Sequence, residues 1–123
     1  MTEINIFKSS TDAMPVGAGE VLFREGDEGG DMFAVVEGEI ELVRSGAVVE
    51  TVRPGGILGE MALIDPAPRS AAARARTDAR VVHIDKRRFM FLVHEHPTFA
   101  LQVMTVMAER LRKTNESVGS REH

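Results

Sequence analysis

A chain of 123 residues, 43% of them hydrophobic, has enough material for one compact domain with its own core. It holds no cysteine, which excludes disulfide staples, thiolate nucleophiles and cysteine metal sites and fits a reducing, cytoplasmic compartment. Its net charge of -4 is unevenly spread: residues 1–68 carry 4 basic and 13 acidic side chains, whereas 69–90 carry 7 and 2, which excludes a general nucleic-acid binder but leaves a local basic block suited to a small anion.

The chain starts Met1-Thr2-Glu3-Ile4-Asn5, without the basic and apolar regions of a secretory signal. Nowhere does an apolar run reach the length that crosses a bilayer. The first two-thirds reads as short strands between turn residues. Val21 to Arg24 lies between Gly19 and Glu25-Gly26-Asp27, and Met32 to Val36 ends at Glu37-Gly38. Ile40 to Val43 follows at once, so Gly38 is expected in a tight hairpin. Ser45-Gly46-Ala47 is another turn before the strand Val48 to Val52, which Pro54-Gly55-Gly56 ends. Ala71 to Ala75 and Ala79 to Ile84 complete a series whose regular spacing predicts a sandwich or barrel.

Helical period begins after Ile84. Asp85 serves as N-cap, and Lys86-Arg87-Arg88 in the first turn opposes the helix dipole, which predicts a short helix ending near Val93. Pro97 is suited to the first position of a second helix. From Thr98 that helix is long, with Leu101, Met104, Ala108, Leu111, Asn115 and Val118 at alternating three-four spacing. This is the seam of a two-stranded coiled coil, with Asn115 as its one polar member. It predicts a homodimer; the alternative is a helix that covers the barrel.

The chemistry concentrates in Gly59-Glu60-Met61-Ala62-Leu63 and, after a short gap, Pro68-Arg69-Ser70-Ala71. A glycine allows close backbone approach, a carboxylate accepts from a sugar hydroxyl, and an arginine beside a hydroxyl neutralises one phosphate. The stretch Gly59 to Leu63 is expected to form a short helical turn whose first amides face an anion, with Ala62 and Leu63 packed beneath. The bland alternatives are a surface arginine at 69 and a surface carboxylate at 60 that pairs with a nearby arginine.

Order and spacing resemble the phosphate-binding cassette of cyclic-nucleotide-binding domains, the family that includes bacterial catabolite activators and kinase regulatory subunits. The resemblance runs from about Glu20 to Val118. It implies an eight-stranded jelly-roll β-barrel at about 15–84, followed by a short helix and a long C-terminal helix at about 85–118, all within a single domain 1–123. It also implies that Arg69 and Ser70 hold the cyclic phosphate and that Glu60 binds the ribose 2′-hydroxyl. Ile57, Leu58, Ala71 and Ala73 are expected to wall the base. In the activator branch a threonine on the last helix reaches the adenine, with the next residue coming from the partner subunit. Thr114 and Asn115 stand at those places, Asn115 replacing a serine, and both suit a plain helix surface equally. Ser70 matches the bacterial cAMP receptors, which points to cAMP, with cGMP as the alternative. The ligand-binding set is therefore Leu58, Gly59, Glu60, Met61, Ala62, Arg69, Ser70, Ala71, Thr114 and Asn115, with no catalytic residue, metal or cofactor.

The expected function is a cAMP sensor whose ligand moves the C-terminal helix, acting through a dimer or an effector protein, with no direct nucleic-acid or membrane partner. In the transcription-factor branch of the family a helix-turn-helix reader comes after the last helix, and none is expected here. One rival is the nucleotide-binding fragment of a transcription regulator; another is a degenerate interaction module, against which Glu60, Arg69 and Ser70 count. A cupin-like metal enzyme is disfavoured because His94-Glu95-His96 lies between two helical patterns, and His83 and His123 do not complete a ligand set.

Overall fold

The computed structural model describes residues 2–65 and 67–121, those from 115 onward by backbone alone. Eight strands and three helices are found among them. The strands are β1 (Met14–Val16), β2 (Val21–Phe23), β3 (Met32–Glu37), β4 (Ile40–Arg44), β5 (Ala47–Val52), β6 (Ile57–Leu58), β7 (Ala72–Ala75) and β8 (Ala79–Ile84). The helices are α1 (Met61–Ile64), between β6 and β7, and α2 (Lys86–Glu95) and α3 (Pro97–Arg121), which follow β8. The strands form two antiparallel sheets, ordered β1-β8-β3-β6 and β2-β7-β4-β5, in the jelly-roll architecture expected from the sequence.

Strand alternation explains how the sheets are used. Phe33 and Val35 of β3, Leu58 and Val81 face a core shared with Ile40, Val52, Ala73 and Ala75 of the second sheet. The alternate residues Met32, Ala34, Ile57, Val82 and Ile84 face the other way, against Phe99, Val103 and Val106 of α3 and against Ile4 and Phe7 of the N-terminal segment. The first sheet is thus covered on both faces. The second turns a charged face outward, where Glu41 and Arg74 are cross-strand neighbours 3.3 Å apart and Glu39 holds both Arg53 and Arg76.

Three expectations change. Gly38 is not in a hairpin: β3 and β4 belong to different sheets, and the chain crosses between them there. Gly38 has φ +77°, and a β-carbon would collide with the Asp78 carbonyl and Ala79. Second, β1 and β6 are additional strands, three and two residues long. Third, α2 runs two residues beyond Val93; the Asp85 carboxylate caps it, accepting from the Arg88 amide at 2.8 Å.

The α3 helix begins at Pro97 as expected, and one face of it covers the barrel. Phe99, Val103 and Val106 are buried against the sheet, with Phe99 edge-on to Phe7 at 5.7 Å. The three-four stripe faces away from the barrel: Leu101 is 63% exposed, Met104 55% and Leu111 63%. The side chains of Asn115 and Val118 lie outside the described residues.

Candidate functional site

The site is built on the turn that leaves β6. Leu58 is fully buried, and Gly59 then takes φ +76° to reverse the chain into α1. The sequence suggested that Gly59 clears space for a ligand. What fills that space is the protein's own arginine: a β-carbon there would lie 2.7 Å from Arg69 Nη1 and 3.0 Å from the Asp31 carbonyl oxygen. Within the turn, the Ala62 amide donates to the Gly59 carbonyl and the Leu63 amide to the Glu60 carbonyl, each at 3.2 Å. Two of the amides expected to face an anion are therefore already engaged.

Arg69 is fixed from several directions. Its amide donates to the Asp27 carbonyl, and its carbonyl accepts from the Gly26 amide, both at 2.8 Å, which ties it to the loop between β2 and β3. Its guanidinium donates to the Asp31 carbonyl at 2.8 Å and to the Gly59 carbonyl at 3.4 Å. The guanidinium carbon sits 4.2 Å from the centre of the Phe23 ring, a cation–π contact. Burial pulls its pKa below the ordinary arginine value, opposed by the charges of Asp31, Asp27 and Glu60. An arginine keeps its proton under such conditions. Among the described residues, its Nε is a buried polar side-chain atom with no hydrogen-bond partner.

Glu60 is only 3% exposed, which is rare for a carboxylate. Burial pushes its pKa above the usual 4.5; the Arg110 cation opposes that shift and the nearby Glu50 adds to it. Arg110, on α3, pairs with Glu60 through Nη1. It also grips Glu50 of β5 in a two-pronged contact, Nε to Oε1 at 3.1 Å and Nη2 to Oε2 at 2.8 Å, and donates to the Ile57 carbonyl at 2.6 Å. Burial works against the Arg110 charge, but the Glu50 hydrogen bond and the two carboxylates outweigh it and raise its pKa. Glu60 is thus paired with an arginine, but it is not the surface carboxylate of the alternative reading, because the pair lies inside the protein.

The remaining sequence candidates divide. Ala62 and Leu63 are buried, as expected beneath the site, and Met61 is 57% exposed. Ser70 is exposed, and its carbonyl accepts from Arg44 Nε at 3.2 Å; Ala71 is half-buried. Ala73 and Leu58 do not present a wall to a base, because both are fully buried in the core between the sheets. Thr114 is exposed on α3, and its hydroxyl donates to the Arg110 carbonyl at 3.0 Å, one turn away. The Asn115 side chain lies outside the described residues.

Sequence reasoning missed Arg110, Glu50, Asp31 and Phe23. For Arg110 a signal existed: it continues the buried stripe Phe99, Val103, Val106 at helical spacing. A charge in that stripe requires a partner on the barrel.

The cyclic nucleotide-binding domain model matches residues 14–96. A CRP-like cAMP-activated global transcriptional regulator of Mycobacterium tuberculosis is 27% identical over 105 residues, covering 81% of this chain and 47% of that protein. The cGMP-dependent protein kinase egl-4 of Caenorhabditis elegans is 33% identical over 79 residues, 64% of this chain and 10% of the kinase. The chain thus spans about half or less of the length of these relatives. The crystal structure of the Thermus thermophilus catabolite activator protein superposes with a TM-score of 0.83 at 25% identity, over 96% of this chain and 58% of that one. With the jelly roll and the glycine-hinged turn already in place, the chain belongs to the cyclic nucleotide-binding domain family.

Proposed function

We propose that this domain is a cytoplasmic sensor of a cyclic purine nucleotide, cAMP in the first place. The observation that carries this reading is two opposite charges brought to the Gly59 turn: the buried Glu60 carboxylate, and the partly buried Arg69 guanidinium, held against the Gly59 carbonyl with its Nε unpartnered among the described residues. The cyclic phosphate meets Arg69 and the Ser70 hydroxyl. A ribose hydroxyl donates to Glu60, an acceptor that would repel the phosphate. The base lies toward α3 near Thr114. Preference for cAMP rests on Ser70 and is in keeping with the cAMP-activated mycobacterial relative; the kinase relative makes cGMP the competitor to test.

The α3 helix is seated on the sheet as far as Arg110. Ligand-driven motion is therefore assigned to the part of α3 beyond Arg110 and to the turn, as a two-state element biased by nucleotide. The exposed stripe of Leu101, Met104, Ala108 and Leu111 pairs with the same stripe of a second copy. Calorimetric titration with cAMP and cGMP, on the wild type and on Arg69→Ala, tests the proposal. It expects tighter binding of cAMP and a loss of about 10- to 100-fold in the variant, the value of a hydrogen bond to a charged group. Equal affinity in both proteins overturns the phosphate assignment.

A further inference from the structure

Arg110 offers five N–H donors in a rigid fork, and four contacts use them: two to Glu50, one to the Ile57 carbonyl and one to Glu60. The two-pronged grip on Glu50 fixes the guanidinium plane, because a planar fork matched to a carboxylate has little freedom left. The Arg110 contact to Glu60 is made through Oε1 alone. Arg110 thus engages one oxygen of the Glu60 carboxylate and leaves the other outside its fork.

Glu50 comes from a different sheet than the cassette charge it shares Arg110 with. It lies on β5, an edge strand of the second sheet, whereas Glu60 follows β6 of the first. Its side chain retains 24% exposure, against 4% for Glu60. Two carboxylates around one guanidinium leave an excess negative charge. A grouping needed only to neutralise Glu60 would not include the second carboxylate.

We infer that Glu50 is a positioning residue for ribose recognition: it orients Arg110, and Arg110 in turn sets the Glu60 carboxylate so that one oxygen is presented to the 2′-hydroxyl. This rests on the reading of Glu60 as the ribose acceptor. Without Glu50, the Arg110 fork is free to turn onto both oxygens of Glu60, and the ribose acceptor is lost. The phosphate site at Arg69 is untouched.

The test compares affinity for cAMP and 2′-deoxy-cAMP in the wild type, Glu50→Gln, Glu50→Asp and Arg110→Met. The wild type should prefer cAMP by about tenfold or more, as for a hydrogen bond to a charged acceptor. Glu50→Gln should bring that ratio to about twofold or less while leaving the affinity for 2′-deoxy-cAMP unchanged, which a general structural loss would not do. Glu50→Asp, which keeps the charge on a shorter stem, should restore part of the ratio. Adding Glu50→Gln to Arg110→Met should change the ratio no further. A wild-type ratio in Glu50→Gln overturns this inference alone. A wild type that binds both nucleotides equally overturns the ribose role of Glu60 and the inference with it, and one that binds neither overturns the sensor reading as well.

Discussion

Replacing Arg110 by methionine keeps most of the side-chain volume and removes the cation that serves Glu60. The Arg110 and Glu60 side chains retain 23% and 4% of their exposure, so the pair is largely out of water. Breaking a buried pair from one side costs about 3–5 kcal/mol, because the remaining charge is left uncompensated. Protonation limits the penalty: each unit by which the Glu60 pKa rises in the folded state corresponds to about 1.4 kcal/mol at pH values above that pKa. Burial already holds that pKa above the ordinary 4.5, and losing Arg110 raises it further. A group with a raised folded-state pKa contributes its full stability below the unfolded value and loses it as pH rises through the folded value. The gap between wild type and Arg110→Met should therefore be small near pH 4 and widen toward pH 8. For a domain of this size, about 3 kcal/mol lowers Tm by roughly 10 °C. Thermal and urea unfolding of both proteins across that range measures it, with Arg110→Met/Glu60→Gln as the control that should regain much of the loss at pH 8. A gap that does not change with pH, or a double variant no better than the single one, refutes the argument that Glu60 is the stranded charge.

Gly59→Ala should be destabilised by about 1–3 kcal/mol by its positive φ and should lose nucleotide affinity in addition, because the new methyl displaces the Arg69 guanidinium; chemical denaturation and titration measure the two effects separately. Binding of cAMP to the wild type should weaken as pH falls from neutrality through the raised pKa of Glu60, because the protonated acid no longer serves as an anionic acceptor; in Glu60→Gln this pH dependence should be lost. Leu101→Glu/Leu111→Glu should sediment as a monomer with an unchanged melting profile for the individual domain, whereas a wild type that is already monomeric at high concentration removes the proposed seam.

Much of this was legible in the sequence, for reasons that can be named. Strands such as β3 and β8 are long enough to show apolar content between turns, and the Asp85 cap and Pro97 mark helix starts that the structure reproduces. The strands β1 and β6 were hidden because three and two residues are too few to show alternation. Gly38 misled because a positive-φ glycine between two apolar runs serves a hairpin or a crossing between sheets equally well, and only the pairing of β3 with β6 and β8 separates them. The cassette residues were readable because Gly59, Glu60, Arg69 and Ser70 lie close together along the chain. The network around Arg110 was not, because Glu50, Ile57 and Glu60 meet a residue 50 to 60 positions away. Ala73 and Leu58 were assigned to the site by proximity in sequence, but strand alternation turns both into the core.

The most direct measurement is a crystal structure of the chain grown with saturating cAMP. The account predicts the cyclic phosphate against the Arg69 guanidinium and the Ser70 hydroxyl, with Nε given its acceptor, and the 2′-hydroxyl on the Glu60 carboxylate beside Arg110. A nucleotide bound elsewhere, or Arg69 still directed only at the Asp31 and Gly59 carbonyls under those conditions, contradicts it.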